Sequence, residues 1–291
     1  MNLVDLIHRA CLLEASARKV GNVHPAAAFE SLCYADFVRS ADAVAPVLAR
    51  AVELGVGRTI LEAVRATRAV CSHNTNLGII LLLAPLAAVP ESRPLGEGLG
   101  DVLKSLTIED SAFVFDAIRV ASPRGLGNSS EQDVAQAPTQ PLVEIMQLAA
   151  DRDSIAAQYT TGFELVLRQG VPVLAESSNF ETDWERAIIR LQLRLMAAQP
   201  DTDIARKCDA HEARESARIA QEVLASGWPD TTSGQQRLSE FDGWLRARGS
   251  LRNPGTTADL VTACLFVGLR ERLIQAPSVA VIQKHAADIE I

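Results

Sequence analysis

The chain has 291 residues, of which 48% are apolar, 22% charged and only 4% aromatic, and its formal net charge is −8. This composition is typical of a globular protein with an aliphatic core, and it argues against a disordered chain and against a protein that binds duplex nucleic acid through a basic surface. A polyanionic small substrate stays compatible with it. The five cysteines form no CxxC pair and no secretory signal is visible, so we expect free thiols and a cytoplasmic protein.

Apolar residues recur at helical spacing along most of the sequence. This periodicity predicts helices at residues 3–18, 34–54, 59–72, 77–89, 109–122, 141–152, 154–168, 183–198, 201–226, 235–248 and 258–274. Thr107 with Asp110, and Thr182 with Glu185, predict capping boxes at two helix starts, and Thr257 is expected to cap the last helix. The β-branched tail at 279–282 predicts a short strand.

The uncharged run at residues 74–90 is the most apolar part of the sequence. It contains Gly78 and Pro85 and is shorter than the ~20 residues that a membrane-spanning helix needs, so it predicts a buried helix and no membrane association. No repeat and no linker divides the sequence. We therefore expect residues 1–291 to form one all-α domain, a multi-helix bundle with short loops.

Polar residues interrupt this apolar pattern in four clusters at helix boundaries, namely 19–25, 73–78, 123–127 and 253–259. Each cluster taken alone fits an ordinary interhelix loop, N-cap or glycine turn. Helix N-termini, however, present unpaired N–H groups and a positive dipole end that hold phosphates. The segment 200–207, with two carboxylates followed by Arg206 and Lys207, fits either a metal–phosphate pair or two dipole-complementary helix ends. Their joint occurrence predicts one shared pocket.

The same segments resemble the triphosphoribosyl-dephospho-CoA synthase family. The resemblance runs from about Glu14 to Gly268. It is carried by residues 19–24 with Phe29, Asp36 and Ser40, and by 74–78, Asp110 with 117–119, 123–127, 151–159, 200–207 and 255–260. The resemblance implies an all-helical enzyme that moves the triphosphoribosyl group of ATP to the 2′-hydroxyl of dephospho-CoA and releases adenine, with small-molecule substrates and no nucleic-acid partner. A homodimer is compatible with it.

This chemistry implies a role for each candidate residue. His24 is the candidate general base, and Asp36 and Asp110 are the candidates for Mg²⁺ binding or for charge near the ribose ring. Nucleotide binding is expected to use the loop residues, the asparagine cluster, the cations and the last helix start: Lys19, Gly21, Asn22, Asn74, Thr75, Asn76, Arg119, Arg206, Lys207 and Thr257.

Three positions depart from the pattern usual in the family. Val20 stands where proline is usual, and Arg124 stands where a second glycine is usual. Leu77 follows the asparagine motif at 74–76, whereas the family usually has a lysine soon after this motif. These departures resemble a divergent branch associated with pterin-linked one-carbon metabolism. They leave two alternatives open, which are phosphoribosyl transfer in pterin-type cofactor biosynthesis and a non-catalytic nucleotide-binding regulator.

Overall fold

Helices form most of the chain in this computed structural model, which describes residues 1–123, 131–177 and 179–289. Those ranges contain no β-strand, so the predicted all-α class is confirmed. The helices of the first half are α1 (Leu3–Ser16), α2 (Tyr34–Leu48), α3 (Ala51–Leu54), α4 (Val56–Val70), α5 (Leu77–Ala87), α6 (Leu95–Lys104), α7 (Ile108–Ala121) and α8 (Leu142–Gln147). Those of the second half are α9 (Ser154–Thr161), α10 (Val171–Ala175), α11 (Phe180–Ala198), α12 (Thr202–Lys207), α13 (Ala210–Ala225), α14 (Thr232–Arg246), α15 (Gly255–Arg270) and α16 (Val279–Ile289). A π-helical segment, Leu165–Gly170, joins α9 to α10.

The larger hydrophobic core surrounds α5 and α15. Every residue of α5 is buried, which confirms the buried helix that the apolar run predicts. Helix α15 packs against α1, α5, α10 and α11, and it is apolar around most of its circumference because neighbours cover it on several sides. None of the described helices is both long enough and apolar enough to cross a membrane.

A smaller core holds α11, α13 and α14 together. Its centre contains Leu193, Met196, Phe241 and Leu245, and Ile204 of the short helix α12 joins it. Helix α12 also contacts α15, which belongs to the larger core. Helix α12 therefore lies where the two cores meet, and this placement positions the site described below.

The predicted strand at residues 279–282 is wrong, because this segment opens α16. Ile282 and Ala286, four residues apart, are its buried residues, and the helix packs on α1. An apolar stripe at helical spacing thus overrides the β-propensity of Val279 and Val281. Helix α6 escapes the sequence pattern because Gly96, Gly98 and Gly100 separate its buried leucines.

Helix boundaries differ from the prediction in several places. The predicted helices at 34–54 and 201–226 are each two helices, and the one at 154–168 ends at Thr161 before the π-helical segment. The capping box of Thr107 and Asp110 is confirmed at the start of α7. The one predicted at Thr182 is wrong, since α11 already begins at Phe180 and the Thr182 hydroxyl donates to the Asn179 carbonyl.

Candidate active site

A cleft of about 630 Å³ lies where α5, α9, α12 and α15 begin. Its wall contains members of all four polar clusters of the sequence: Asn22 and Val23, residues 73–78, Pro123, and Asn253 with 255–256 and 258–259. Residues 124–127 of the third cluster, Arg124 among them, lie outside the described residues. The geometry therefore brings the four clusters to one pocket, as their joint occurrence predicts.

Two of the helices begin at the cleft with free backbone donors. Neither α5 nor α15 has a side chain of its N-cap residue accepting a hydrogen bond. The N–H groups of Gly78, Ile79 and Thr256 have no acceptor within the described ranges. Since unpaired N–H groups and the positive end of the helix dipole favour anions, this end of the cleft suits a phosphate group.

Asp259 lies in the first turns of α15. It lines the cleft, and its side chain accepts no hydrogen bond from any described residue. Burial, followed by repulsion from Asp203, Glu14 and Asp201, raises its pKa well above the ordinary value of 3.8. A desolvated carboxylate among other carboxylates is costly, so the position favours either a proton or a bound cation.

Gly78 leaves the room that this carboxylate occupies. A Cβ atom at Gly78 would lie 2.0 Å from Asp259 Oδ2 and 2.6 Å from Ile155 Cδ1. Gly255 does the same for Asp203, because its Cβ would lie 2.5 Å from Asp203 Oδ2. The close approach of a helix start to a carboxylate, rather than an unusual backbone angle, therefore explains both glycines.

Two cations of the cleft lie around Asp203 on α12. Arg206 and Lys207 both form ion pairs with this buried carboxylate, and all three residues line the cleft. The side chains of Arg206 and Lys207 keep 35% and 18% of their surface exposed. They are therefore held in place by Asp203 while part of each still faces the cleft.

Asp201 joins α12 to α15 behind this cluster. Its Oδ1 accepts from the N–H groups of Asp203 and Ile204, and its Oδ2 accepts from the N–H and hydroxyl of Thr257 at 2.8 and 2.7 Å. Burial and the neighbouring Asp203 nevertheless raise the pKa of Asp201 to about 6. Thr257, predicted to cap and to bind nucleotide, is thus buried and used to fix the relative position of two helix starts.

Amides and hydroxyls form the opposite part of the wall. Asn74 Oδ1 accepts from the Leu77 N–H at 3.1 Å, Thr75 and Ser40 share a 2.7 Å hydrogen bond, and Asn76 Oδ1 accepts from Thr67. Each of these amides uses its oxygen locally and has its NH₂ group free of described partners. These donors are suited to ribose hydroxyls or a base edge.

The loop that follows α1 holds part of the cleft wall in place. Asn22 lines the cleft and is held by Asn253 and Gln192 at 2.7 and 2.9 Å. Gly21 has φ +71°, and its N–H donates to Asp242 at 2.7 Å, so its role is to turn the chain. Lys19 is fully buried and lies 3.0 Å from the carboxylate of Glu14, which itself lines the cleft. Lys19 therefore pairs with a cleft residue but does not line the cleft itself.

Seven of the thirteen sequence-predicted residues are not among those that line the cleft: Lys19, Gly21, His24, Asp36, Asp110, Arg119 and Thr257. Burial and the positive charges of Arg246 and Lys19 lower the pKa of His24 to about 4, so it is neutral at pH 7. Arg119 pairs with Asp116 on the surface of α7, and their spacing of three residues predicts this contact.

Asp36 and Asp110 both serve helix starts. Asp36 accepts from the Cys33 N–H at 2.8 Å and pairs with Arg39. Asp110 accepts from the N–H and hydroxyl of Thr107 through Oδ2 and from the Gly57 N–H through Oδ1. Both carboxylates are thus committed to local hydrogen bonds. No group of three or more acidic, cysteine or histidine side chains suited to a metal occurs among the described residues.

The sequence prediction did not name Glu14, Asp153 and Asp259 as site residues, and for Asp203 it left a metal–phosphate site and a helix end both open. Asp203 and Asp259 lie inside segments that the sequence singles out, but both look like ordinary first-turn acids. The sequence signal that could have found them is the glycine at each helix start. A glycine does not indicate which carboxylate it faces, because Gly78 and Asp259 are 181 positions apart and Gly255 and Asp203 are 52 positions apart.

Comparisons with known proteins identify the family of this chain. Residues 1–278 match the family model described as ATP:dephospho-CoA triphosphoribosyl transferase (CitG). A 2-(5''-triphosphoribosyl)-3'-dephosphocoenzyme-A synthase named from Pseudomonas paraeruginosa is 31% identical over 106 residues, which cover 36% of each chain. One named from Azotobacter vinelandii is 30% identical over 117 residues, which cover 40% of this chain and 39% of the relative. The match thus spans little more than a third of these curated relatives.

A solved structure has the same fold. This crystal structure, named as that of a triphosphoribosyl-dephospho-coA synthase from Archaeoglobus fulgidus, superposes with a TM-score of 0.62 at 24% identity. The superposition covers 80% of this chain and 97% of that chain. At this identity, the likeness shows the helical fold.

Proposed function

The chain belongs to the ATP:dephospho-CoA triphosphoribosyl transferase family, and on that premise we propose that it transfers the triphosphoribosyl group of ATP to a hydroxyl of dephospho-CoA and releases adenine. The observation that carries the proposal is the cleft itself. It combines helix starts with free N–H groups, two anchored cations and an isolated carboxylate, next to a wall of amides and hydroxyls. Each of these parts suits one component of the reaction: the phosphates, the metal ion, or the ribose and base.

The triphosphate binds at the starts of α5 and α15. Free N–H groups of Gly78, Ile79 and Thr256 donate to phosphate oxygens, and Arg206 and Lys207 neutralise charge from α12. A lysine and an arginine anchored by Asp203 lose little side-chain entropy when the ligand binds. A chain with a net charge of −8 thus needs only a local cationic site for a polyanion.

Mg²⁺ fits this site through Asp259 rather than through Asp36 or Asp110. Magnesium in nucleotide sites takes one or two carboxylates together with substrate phosphates, so a cage of three acidic side chains is not needed. Asp259 has no hydrogen-bond partner among the described residues and is surrounded by acidic side chains, whereas Asp36 and Asp110 have their oxygens engaged. Bound with the triphosphate, the ion would supply charge neutralisation.

Asn74, Thr75 and Asn76 bind the ribose and the base in this proposal. The transfer forms a bond between the acceptor oxygen and the anomeric carbon and breaks the bond from that carbon to adenine, with oxocarbenium character in between. Glu14, on the cleft wall, places its carboxylate where this cationic character develops. The hydroxyl proton leaves the acceptor, and adenine gains a proton as it departs. His24 as general base stays a prediction.

Incubating the purified protein with ATP, Mg²⁺ and dephospho-CoA tests the proposal. We expect chromatography to show free adenine and mass spectrometry to show a dephospho-CoA that has gained the triphosphoribosyl group. Adenine release with a cell extract but not with dephospho-CoA would favour another acceptor, such as a pterin-type precursor. Nucleotide binding without any adenine release would favour a regulator, and no nucleotide binding would refute both enzyme hypotheses.

Asp259→Asn and Asp230→Asn are a suitable pair for the same assay. Asp230 is exposed and does not line the cleft, so its variant controls for the same change of charge and side chain at the surface. We expect Asp230→Asn to match the wild type and Asp259→Asn to lose transfer. The homodimer stays a prediction that light scattering would check.

A further inference from the structure

A second pocket, of about 440 Å³, opens beside the cleft. Its lining comes mainly from α7, α8 and α9, and it shares five residues with the cleft: Leu81, Ile118, Asp153, Ile155 and Arg206. The two cavities therefore meet along a common border. Each has a volume within the roughly 300–1,000 Å³ typical of small-molecule sites. A transfer between two nucleotide-sized substrates needs two such sites that touch.

Most side chains of this second pocket are apolar, and Glu131, Gln132, Asp133, Arg152, Asp153 and Arg206 also line it. Val114, Leu142, Ile145 and Met146 contribute to its wall. Leu148 belongs to it as well, although 38% of that leucine is exposed. A ligand that covers a solvent-exposed apolar side chain in a concave wall removes apolar surface from water, which lowers the free energy. The pocket is therefore suited to an apolar, extended group.

The distribution of polar groups separates the two cavities. The amides of Asn22, Asn74 and Asn76, which suit a base edge or a ribose, lie in the cleft alone. Phe115 is the aromatic residue among the described lining of the second pocket, and it is only 2% exposed, so a base would find little ring surface to stack on. The second pocket thus matches a chain-like group better than a nucleobase.

We propose that this pocket binds the pantetheine arm of the acceptor, an inference that rests on the proposed function. The acceptor ribose then lies in the cleft with its hydroxyl toward the ribose of ATP. The pyrophosphate that links the acceptor ribose to its arm lies at the border, where Arg206 reaches both cavities. The arm extends along Met146 and Leu148, and its amides meet solvent at the open side.

Ala149→Trp tests this assignment by filling the pocket. Ala149 is half-buried on the pocket wall, and an indole there occupies the space of the arm. We expect the KM for dephospho-CoA to rise at least 10-fold, with the KM for ATP unchanged. Leu148→Gln, which removes an exposed apolar contact without entering the core, should raise the same KM about 3-fold and serves if the tryptophan variant does not fold. Leu273→Gln is the matched control, because Leu273 is 51% exposed and lines neither cavity.

Calorimetry of dephospho-CoA binding without ATP separates this inference from the proposed function. Weaker binding by Ala149→Trp and Leu148→Gln than by the wild type and Leu273→Gln supports the pocket, whether or not adenine is released. Equal binding by all four proteins, or no binding by any of them, overturns it. A third outcome is that no adenine is released, while the wild type binds dephospho-CoA and both pocket variants bind it more weakly. This outcome would refute the transfer and leave the pocket assignment standing. An equal rise in the KM for ATP would instead place the base of ATP in this pocket and overturn the assignment.

Discussion

Helix α7 and helix α15 both begin with an aspartate near the first turn, yet the two carboxylates have opposite environments. Asp110 of α7 accepts hydrogen bonds from the N–H and hydroxyl of Thr107 and from the N–H of Gly57 on α4. Asp259 of α15 accepts none from the described residues and lies against Gly78 in the cleft. The first carboxylate completes a helix start, whereas the second has no hydrogen-bond partner among the described residues.

A helix start can hold an anion only when its own side chains leave the N–H groups of its first turn free. The capping box closes α7 from within, as the pair Thr107 and Asp110 predicts. Helix α5 and helix α15 have no such box, and their free N–H groups lie in the same cleft as Asp259. The predictions below test whether this contrast is functional.

Asp259→Asn is expected to have the largest effect. The change keeps the shape and removes a charge that accepts no hydrogen bond from described residues, so the melting temperature should not fall. Transfer, measured as adenine release, should fall at least 100-fold, or about 2.7 kcal/mol in the barrier. Calorimetry should also show that Mg²⁺ no longer tightens ATP binding. Wild-type transfer by this variant would refute the role given to Asp259.

Gly78→Ala should lower transfer by about 10-fold, because a methyl group 2.0 Å from Asp259 Oδ2 forces that carboxylate to turn away. Gly96→Ala on α6 is its control, since nothing lies within 4 Å of the Cβ position there. Steady-state kinetics and thermal unfolding of both variants check this. We expect Gly96→Ala to keep full transfer with an equal or higher melting temperature. Equal effects of the two changes would contradict the steric argument.

The raised pKa values of Asp201 and Asp259 predict that the contribution of these two groups to stability falls as the pH rises from about 4 to above 6. In the unfolded chain both groups titrate near 3.8, so across this interval the folded protein binds more protons than the unfolded one. Asp259→Asn should therefore gain stability relative to the wild type as the pH rises, by up to ~1.4 kcal/mol per pH unit.

Urea unfolding in metal-free buffer at several pH values measures this difference. Parallel stability curves for the two proteins would mean that Asp259 titrates alike in the folded and unfolded states. Adding Mg²⁺ and ATP should lessen the pH dependence of the wild type, because a bound cation favours the ionised carboxylate.

Asp110→Ala should have the smallest effect, a loss of about 1 kcal/mol in the free energy of unfolding, the size of a lost cap. We expect transfer per folded molecule to persist, because the residue does not line the cleft. Chemical denaturation and adenine release on the same sample check both statements. Loss of transfer at unchanged stability would instead favour the catalytic or metal-binding role that the sequence suggests for Asp110.

Much of the fold was predictable from the sequence because helical periodicity is local. The buried helix at Leu77–Ala87 and the capping box at Thr107 appear as the pattern predicts. The errors fall where local signals conflict with packing, as at 279–282, where the stripe of Ile282 and Ala286 against α1 decides in favour of a helix.

The candidate site was predictable in its segments but less so in its individual residues. Asn74, Thr75, Asn76, Arg206 and Lys207 all line the cleft. Lys19 looks like a free cation in sequence and proves to be buried beside Glu14, because the turn after α1 directs it inward. Nothing in a linear pattern distinguishes a lysine that faces a ligand from one that pairs internally.

The helical class, the family resemblance and the net negative charge can be obtained from the sequence, since they depend on local pattern and composition. Which carboxylates face the cleft and which close a helix is set by the packing of the helices. That choice depends on contacts between residues far apart in sequence, such as Gly78 with Asp259 and Gly255 with Asp203. Burial and hydrogen bonding, which tune each carboxylate, arise only when distant helix starts pack together.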